Sequence, residues 1–280
     1  MTITRLAILI LASLMVSPIT ASPVDPKASS GGSQALSSSD VAVNTPNGLR
    51  IMSQSAYISM LQESGVQIGA PPPVQEGLVT YKGEELAKLA AAEAAQKRDE
   101  AALARPPPPA GTLSSRGKCD STTSVVIDNT TTFVDWDAQM SPVVCAQGNM
   151  MVAVAAGYMV SNSIGVNAGV MPTIVKDVLS GSLNIDYTKS WTTSSVITTT
   201  GTVTDKNCGV MITRPIITRR LGRIFKGCLG NLEQIGVFQA DSHNEIKISG
   251  MKWVEGAISM CMKPGESPPL SRCSGEGNFI

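Results

Sequence analysis

Six cysteines, Cys119, Cys145, Cys208, Cys228, Cys261 and Cys273, constrain this chain more than any other feature. All lie in its second part, and none forms a Cys-x-x-Cys pair. That arrangement argues against structural zinc and thioredoxin-type redox chemistry and predicts three disulfides. Each would contribute about 2–4 kcal/mol by restricting the unfolded chain. Spacing leaves the connectivity open. Cys208 with Cys228 is the favoured pair, because the polar turn and basic strand between them would return the chain to itself.

Disulfides call for an oxidising compartment, and the N-terminus offers a route to one. Arg5 precedes an apolar run, 6–16, that is too short to span a bilayer, and Ser17, Pro18 and Ala21 follow it. Residues 1–21 therefore read as a secretory signal peptide. The run 150–160 is also too short to cross a membrane and reads as a buried strand. The mature protein is expected to be soluble and extracellular.

Formal net charge is zero, so no global field draws the chain to nucleic acid. Residues 22–116 read as a low-complexity linker or pro-region, with Ser/Gly-rich 27–40 and polyproline runs at 71–73 and 106–109. Between these runs, 83–105 is rich in Ala, Leu, Glu and Lys and predicts a lone helix with no wide apolar stripe to bury. The helix carries Lys97-Arg98, a pair of the type cut by kexin-like proteases, whose bland alternative is two solvated charges.

From 117 to 264 the texture changes to short runs of Val, Ile and Thr between Gly, Asn and Asp. Strands are predicted at 122–134, 150–160, 163–169, 182–187, 191–204, 209–213, 216–225, 234–239, 245–249 and 256–262, with one or two helical turns at 172–179. The expected fold is all-β: an antiparallel β-sandwich or elongated β-sheet domain stabilised by disulfides, preceded by a disordered or helical N-terminal segment. Residues 265–280 read as a polar tail tethered by Cys273.

Several constellations invite a chemical reading. In the Ser/Thr-rich stretch 187–204, alternation puts Trp191, Thr193, Thr199, Gly201 and Val203 on one face and Thr192, Thr198, Thr200 and Thr202 on the other. The bland reading is a water-facing sheet; the functional one is a strand able to enter a membrane. Arg214, Arg219, Arg220, Arg223 and Lys226 form a basic run that suits an anionic partner, or an edge strand protected by charge. Asp135 and Asp137 flank Trp136; paired acids serve glycoside hydrolysis, although a hydrogen-bonded turn or a Ca²⁺ contact fits them better. His243, the sole histidine, excludes multi-His metal sites and lies in a polar-turn sequence. No metal or other cofactor is expected. Asn129 heads the N-glycosylation sequon Asn129-Thr130-Thr131.

The segments F-V-D-W-D-A-Q-M-S-P-V-V-C (133–145), W-T-T (191–193), N-C-G-V-M-I-T-R-P-I-I-T-R-R-L-G-R (207–223) and W-V-E-G-A-I-S-M-C (253–261) resemble the secreted effector-like proteins of plant-associated fungi. The resemblance spans about residues 119–262. It implies export to the apoplast or into a host cell and a virulence role in plant–pathogen interaction, and it supplies no active-site residues. The Ser/Thr-rich stretch is more weakly similar to aerolysin-type pore-forming modules. The expected function is non-catalytic binding of a host protein, glycan or membrane lipid. A β-pore-forming toxin, a glycan-binding lectin and a hydrolase using Asp135 or Asp137 are the alternatives.

Overall fold

The computed structural model describes residues 35–45, 48–103, 119, 121–193, 199–228, 230–248 and 251–280. Residues 1–21, expected as a signal peptide, the prolines at 106–109 and Thr198 lie outside them.

Ordered structure begins well before the first cysteine. β1 (Ala35–Leu36), β2 (Asp40–Thr45) and β3 (Gly48–Ser53) lead into α1 (Gln54–Glu63). Ser53 caps that helix, its Oγ accepting from Ala56 N at 3.3 Å. β4 (Leu78–Lys82) runs directly into α2 (Gly83–Leu103), where Glu84 and Glu85 in the first turn complement the helix dipole. β5 (Thr122–Val134), β6 (Ala138–Gln139), β7 (Val144–Cys145), β8 (Met150–Ala153), β9 (Met159–Ser161) and β10 (Ser163–Asn167) follow. α3 (Pro172–Leu183) starts on a proline that needs no N–H there and stops where Asn184 turns left-handed at φ 55°. The chain ends through β11 (Ser190–Thr192), β12 (Thr200–Val203), β13 (Asn207–Cys228), β14 (Asn231–His243), β15 (Glu245–Ile248), β16 (Met251–Val254), β17 (Gly256–Pro264), β18 (Leu270–Ser271) and β19 (Asn278–Phe279). The fold is mostly β and predominantly antiparallel, as expected.

One strand organises the sheet. β13 runs for 22 residues; its first half is flanked by β17 and by β6 and β7, its second half by β14 and β5. A proline is normally excluded from a central strand because it has no N–H to give the ladder. Pro215 is tolerated because it sits at the handover: it faces Gly256, the last pair with β17, and the ladder with β14 starts at Ile217. The predicted break between 209–213 and 216–225 therefore does not occur.

That continuity also corrects the cysteine pairing. Cys208 and Cys228 stand near opposite ends of β13, tens of ångströms apart at about 3.3 Å per residue. The bridges are instead Cys119–Cys228, Cys145–Cys208 and Cys261–Cys273, with Cα separations of 5.8, 3.9 and 5.7 Å.

Further expectations change. Much of the segment expected as a linker is built into the fold: β2 pairs with β17, β4 with β10 and β1 with β12. These short runs take their stability from partners far along the chain, which local texture does not reveal. Nor does α2 stand alone. Leu86 is fully buried beside Ile164, Leu179 and Phe238, and Glu93 accepts from Thr173 Oγ1 at 2.7 Å. Residues 182–187, expected as a strand, are the end of α3 and the turn after it, and in the described part of 191–204 β11 ends at Thr192 and β12 begins at Thr200, with Thr193 and Thr199 outside both. The C-terminal tail is a small hairpin, β18 with β19, whose Leu270 and Phe279 are buried with Val210 and Ile212.

Candidate functional site

Where β5 ends, the chain turns outward at Asp135-Trp136-Asp137 and meets the C-terminal hairpin. Asp135 N donates to Pro215 O at 2.8 Å, which fixes the turn to the middle of β13. Asp137 is 1 % exposed; its Oδ2 accepts from Ser274 N at 2.6 Å and its backbone carbonyl accepts from Arg272 Nη1. Arg214 Nε lies 3.6 Å from Asp137 Oδ1, and Arg214 Nη2 donates to Ser274 Oγ at 3.4 Å. Asp137 is thus a clasp for the tail. Burial pushes its carboxyl above the usual range, against the opposing pull of the Ser274 N–H and Arg214. Its carboxyl and the sulfurs of Cys261 and Cys273 lie within 4.8 Å of one another, but both sulfurs are spent in a disulfide and offer no thiolate to a metal.

Trp136, between the two acids, points the other way and is 37 % exposed. Gly275 lies against its ring, so close that a Cβ there would come within 2.8 Å of it. Beside the indole opens a groove of about 500 Å³, whose lining includes Lys82, Asp135, Tyr158, Arg272 and Glu276. Burial raises the Asp135 carboxyl, and the Trp136 backbone N–H partly offsets this. Lys82, Tyr158 and Glu276 make no side-chain hydrogen bond or ion pair among the described residues. The groove thus joins an aromatic wall to donors and acceptors not already engaged.

The basic run is spread along β13 rather than gathered into one site. Arg219, 6 % exposed, donates from Nε and Nη2 to the two Asp241 oxygens at 2.8 and 2.7 Å, and from Nη1 to Pro72 O at 2.5 Å. Its guanidinium also lies 5.0 Å from the Phe133 ring. Arg220 Nη1 donates to Ser242 Oγ at 2.9 Å. Exposed Arg223 forks onto Asp128 at 2.7 and 3.0 Å, and that contact holds the Asp128 carboxyl below its ordinary value. Lys226 is exposed and has no ion pair among the described residues. Asp241 and Asp128 were not legible as partners from the sequence; only the strand register brings them opposite the arginines.

Burial in the Ser/Thr-rich stretch follows the predicted alternation. Trp191, Thr193, Thr199, Gly201 and Val203 are buried, Thr192 is exposed, and Thr200 and Thr202 are half-buried. Thr193 Oγ1 accepts from Tyr158 N at 2.9 Å and donates to Ala155 O at 2.8 Å, stitching the stretch to the loop before β9. A ring nitrogen of His243 lies 3.1 Å from Asn162 Oδ1, and its ring stands edge-on to Trp191 with centroids 5.7 Å apart. Burial lowers its pKa to about 4. Asn129 is exposed on β5, and Lys97 and Arg98 are exposed on α2. No described helix is long and apolar enough to cross a membrane.

No protein-family profile, curated protein or solved structure matches this chain.

Proposed function

We propose that this chain is an exported, disulfide-cross-linked protein of the fungal effector-like kind, and that it acts by binding a partner rather than by catalysis. Export rests on the signal-peptide pattern of 1–21 and on three disulfides, which are characteristic of oxidising compartments and rare in the cytosol. The binding surface in this reading is the Trp136 groove. The observation that carries it is an exposed indole beside Lys82, Asp135, Tyr158 and Glu276 in one depression. An aromatic face packs against the C–H face of a sugar while carboxylate, amine and phenol reach its hydroxyls, so a glycan is the partner class of choice.

Hydrolysis is the less favoured reading because one member of the acid pair, Asp137, is buried and bound to the tail. Titration of immobilised plant and fungal glycans with the secreted protein tests the proposal. Trp136→Ala should weaken binding by about tenfold or more, with its three bridges intact. Unchanged binding, or no glycan bound at all, removes the groove from the account.

A second reading, a β-pore-former, is favoured by one feature. β8 and β9 pair with β12 and β11, and they expose Met151 (65 %) and Met159 (54 %) beside the Ser/Thr-rich strands. Refolding of these strands would juxtapose an apolar and a hydroxyl-bearing face. Dye release from liposomes supports this reading, and its absence at micromolar protein, with and without cleavage near Arg98, removes it.

A further inference from the structure

The sequence holds two adjacent basic pairs, and the fold treats them oppositely. Arg219-Arg220 lies inside β13 with both side chains hydrogen-bonded, so a protease cannot draw it into an active-site cleft. Lys97-Arg98 lies on α2 beyond the hydrogen bond between Glu93 and Thr173, the last that ties the helix to the body among the described residues. Residues 94–102 are all exposed. Fraying of this end therefore breaks helix hydrogen bonds but no buried contact, and local opening of that kind is what endoproteolysis requires.

A cut there leaves an unusual product. The N-terminal piece would still be seated, through β2 on β17, β4 on β10 and β1 on β12. Arg219 holds the Pro72 carbonyl, Gln75 N donates to Gln239 Oε1 at 3.0 Å, and Leu36, Val41, Tyr57, Leu61 and Leu86 are buried. Yet all six cysteines lie after the cut and pair among themselves. Nothing covalent would join the two pieces.

We propose that Lys97-Arg98 is a processing site for a dibasic-specific serine endoprotease, and that the product is a two-part protein held together without a covalent link. The protease would hydrolyse the Arg98–Asp99 amide: water adds, the C–N bond breaks, and Arg98 keeps the new carboxylate while Asp99 keeps the amine.

The test is limited digestion of the folded full-length protein with a dibasic-specific protease, read by mass spectrometry and by gel filtration before and after. The expected result is a fragment beginning at Asp99, two bands on a denaturing gel with or without reductant, and one native elution peak at the uncut position. Lys97→Ala/Arg98→Ala should resist the cut while melting at the wild-type temperature, because both side chains are solvated. Absence of a fragment starting at Asp99, or cleavage of the double variant at the same rate, overturns the site. Separation of the two pieces on the native column, or bands that part only with reductant, overturns the two-part product.

Discussion

Arg219 on β13 and Asp241 on β14 are register partners, and the guanidinium closes on the carboxylate through two hydrogen bonds of 2.8 and 2.7 Å. The same side chain reaches Pro72 of the polyproline segment. One residue thus joins the central sheet to a stretch that composition alone marks as a spacer. Removing only the cation would take both of its hydrogen bonds from Asp241, leaving the carboxylate the longer contact from Gln239 Nε2 at 3.2 Å, and would strip the Pro72 carbonyl of the Arg219 donor. Arg219→Met should destabilise the protein by about 3–5 kcal/mol, and Arg219→Met/Asp241→Leu should recover much of that loss. Urea unfolding of the three proteins measures it.

Two glycines set a graded test of packing. A Cβ on Gly222 would collide with the Val126 carbonyl oxygen and come within 2.5 Å of the Phe238 ring. On Gly201 it would meet the Met260 and Met211 sulfurs at 2.6 and 3.2 Å. Backbone and an aromatic ring yield little, whereas methionine ends re-pack. Gly222→Ala should cost about 1–3 kcal/mol or more, and Gly201→Ala clearly less. Thermal melts that rank them the other way would contradict the packing described.

His243 predicts an acid-side loss of stability. Its folded pKa is lowered from 6.5 to about 4, chiefly by burial, with Asp241 pulling the other way. The unfolded chain therefore binds the proton first as pH falls. Stability should drop between about pH 6.5 and 4, by an amount on the order of 2–3 kcal/mol, and then level off with respect to this group. Burial raises the Asp135 and Asp137 pKa values and so has the opposite sign at the acid end. The His243 contribution is thus read as the difference between wild type and His243→Gln, whose curve should be flatter across that window.

Peptide mapping without reduction should yield Cys119 linked to Cys228, Cys145 to Cys208 and Cys261 to Cys273. A Cys208–Cys228 peptide would contradict the continuous central strand.

What was legible in the sequence is what local pattern controls. The limits of β5 follow from its Val/Ile/Thr texture, and the inward parity of Trp191, Thr193, Thr199, Gly201 and Val203 follows from period two. The limits of α2 nearly follow from helix propensity. What was not legible depends on register between distant segments. β2 is unremarkable until β17 lies beside it, and Arg223 looks free until Asp128 arrives from β5. The acid pair at Asp135 and Asp137 stood out, but its division into a groove acid and a tail clasp needed Ser274 and Gly275, which carry no signal of their own.

The central claim, binding without turnover at the Trp136 groove, is tested most directly by capturing the glycan on the folded, disulfide-bonded protein and weighing it after release. The account predicts a glycan recovered with unchanged mass, bound by wild type and Asp137→Asn and lost in Trp136→Ala. Recovery of shortened glycan that becomes intact in Asp135→Asn would contradict it, as would capture that ignores Trp136.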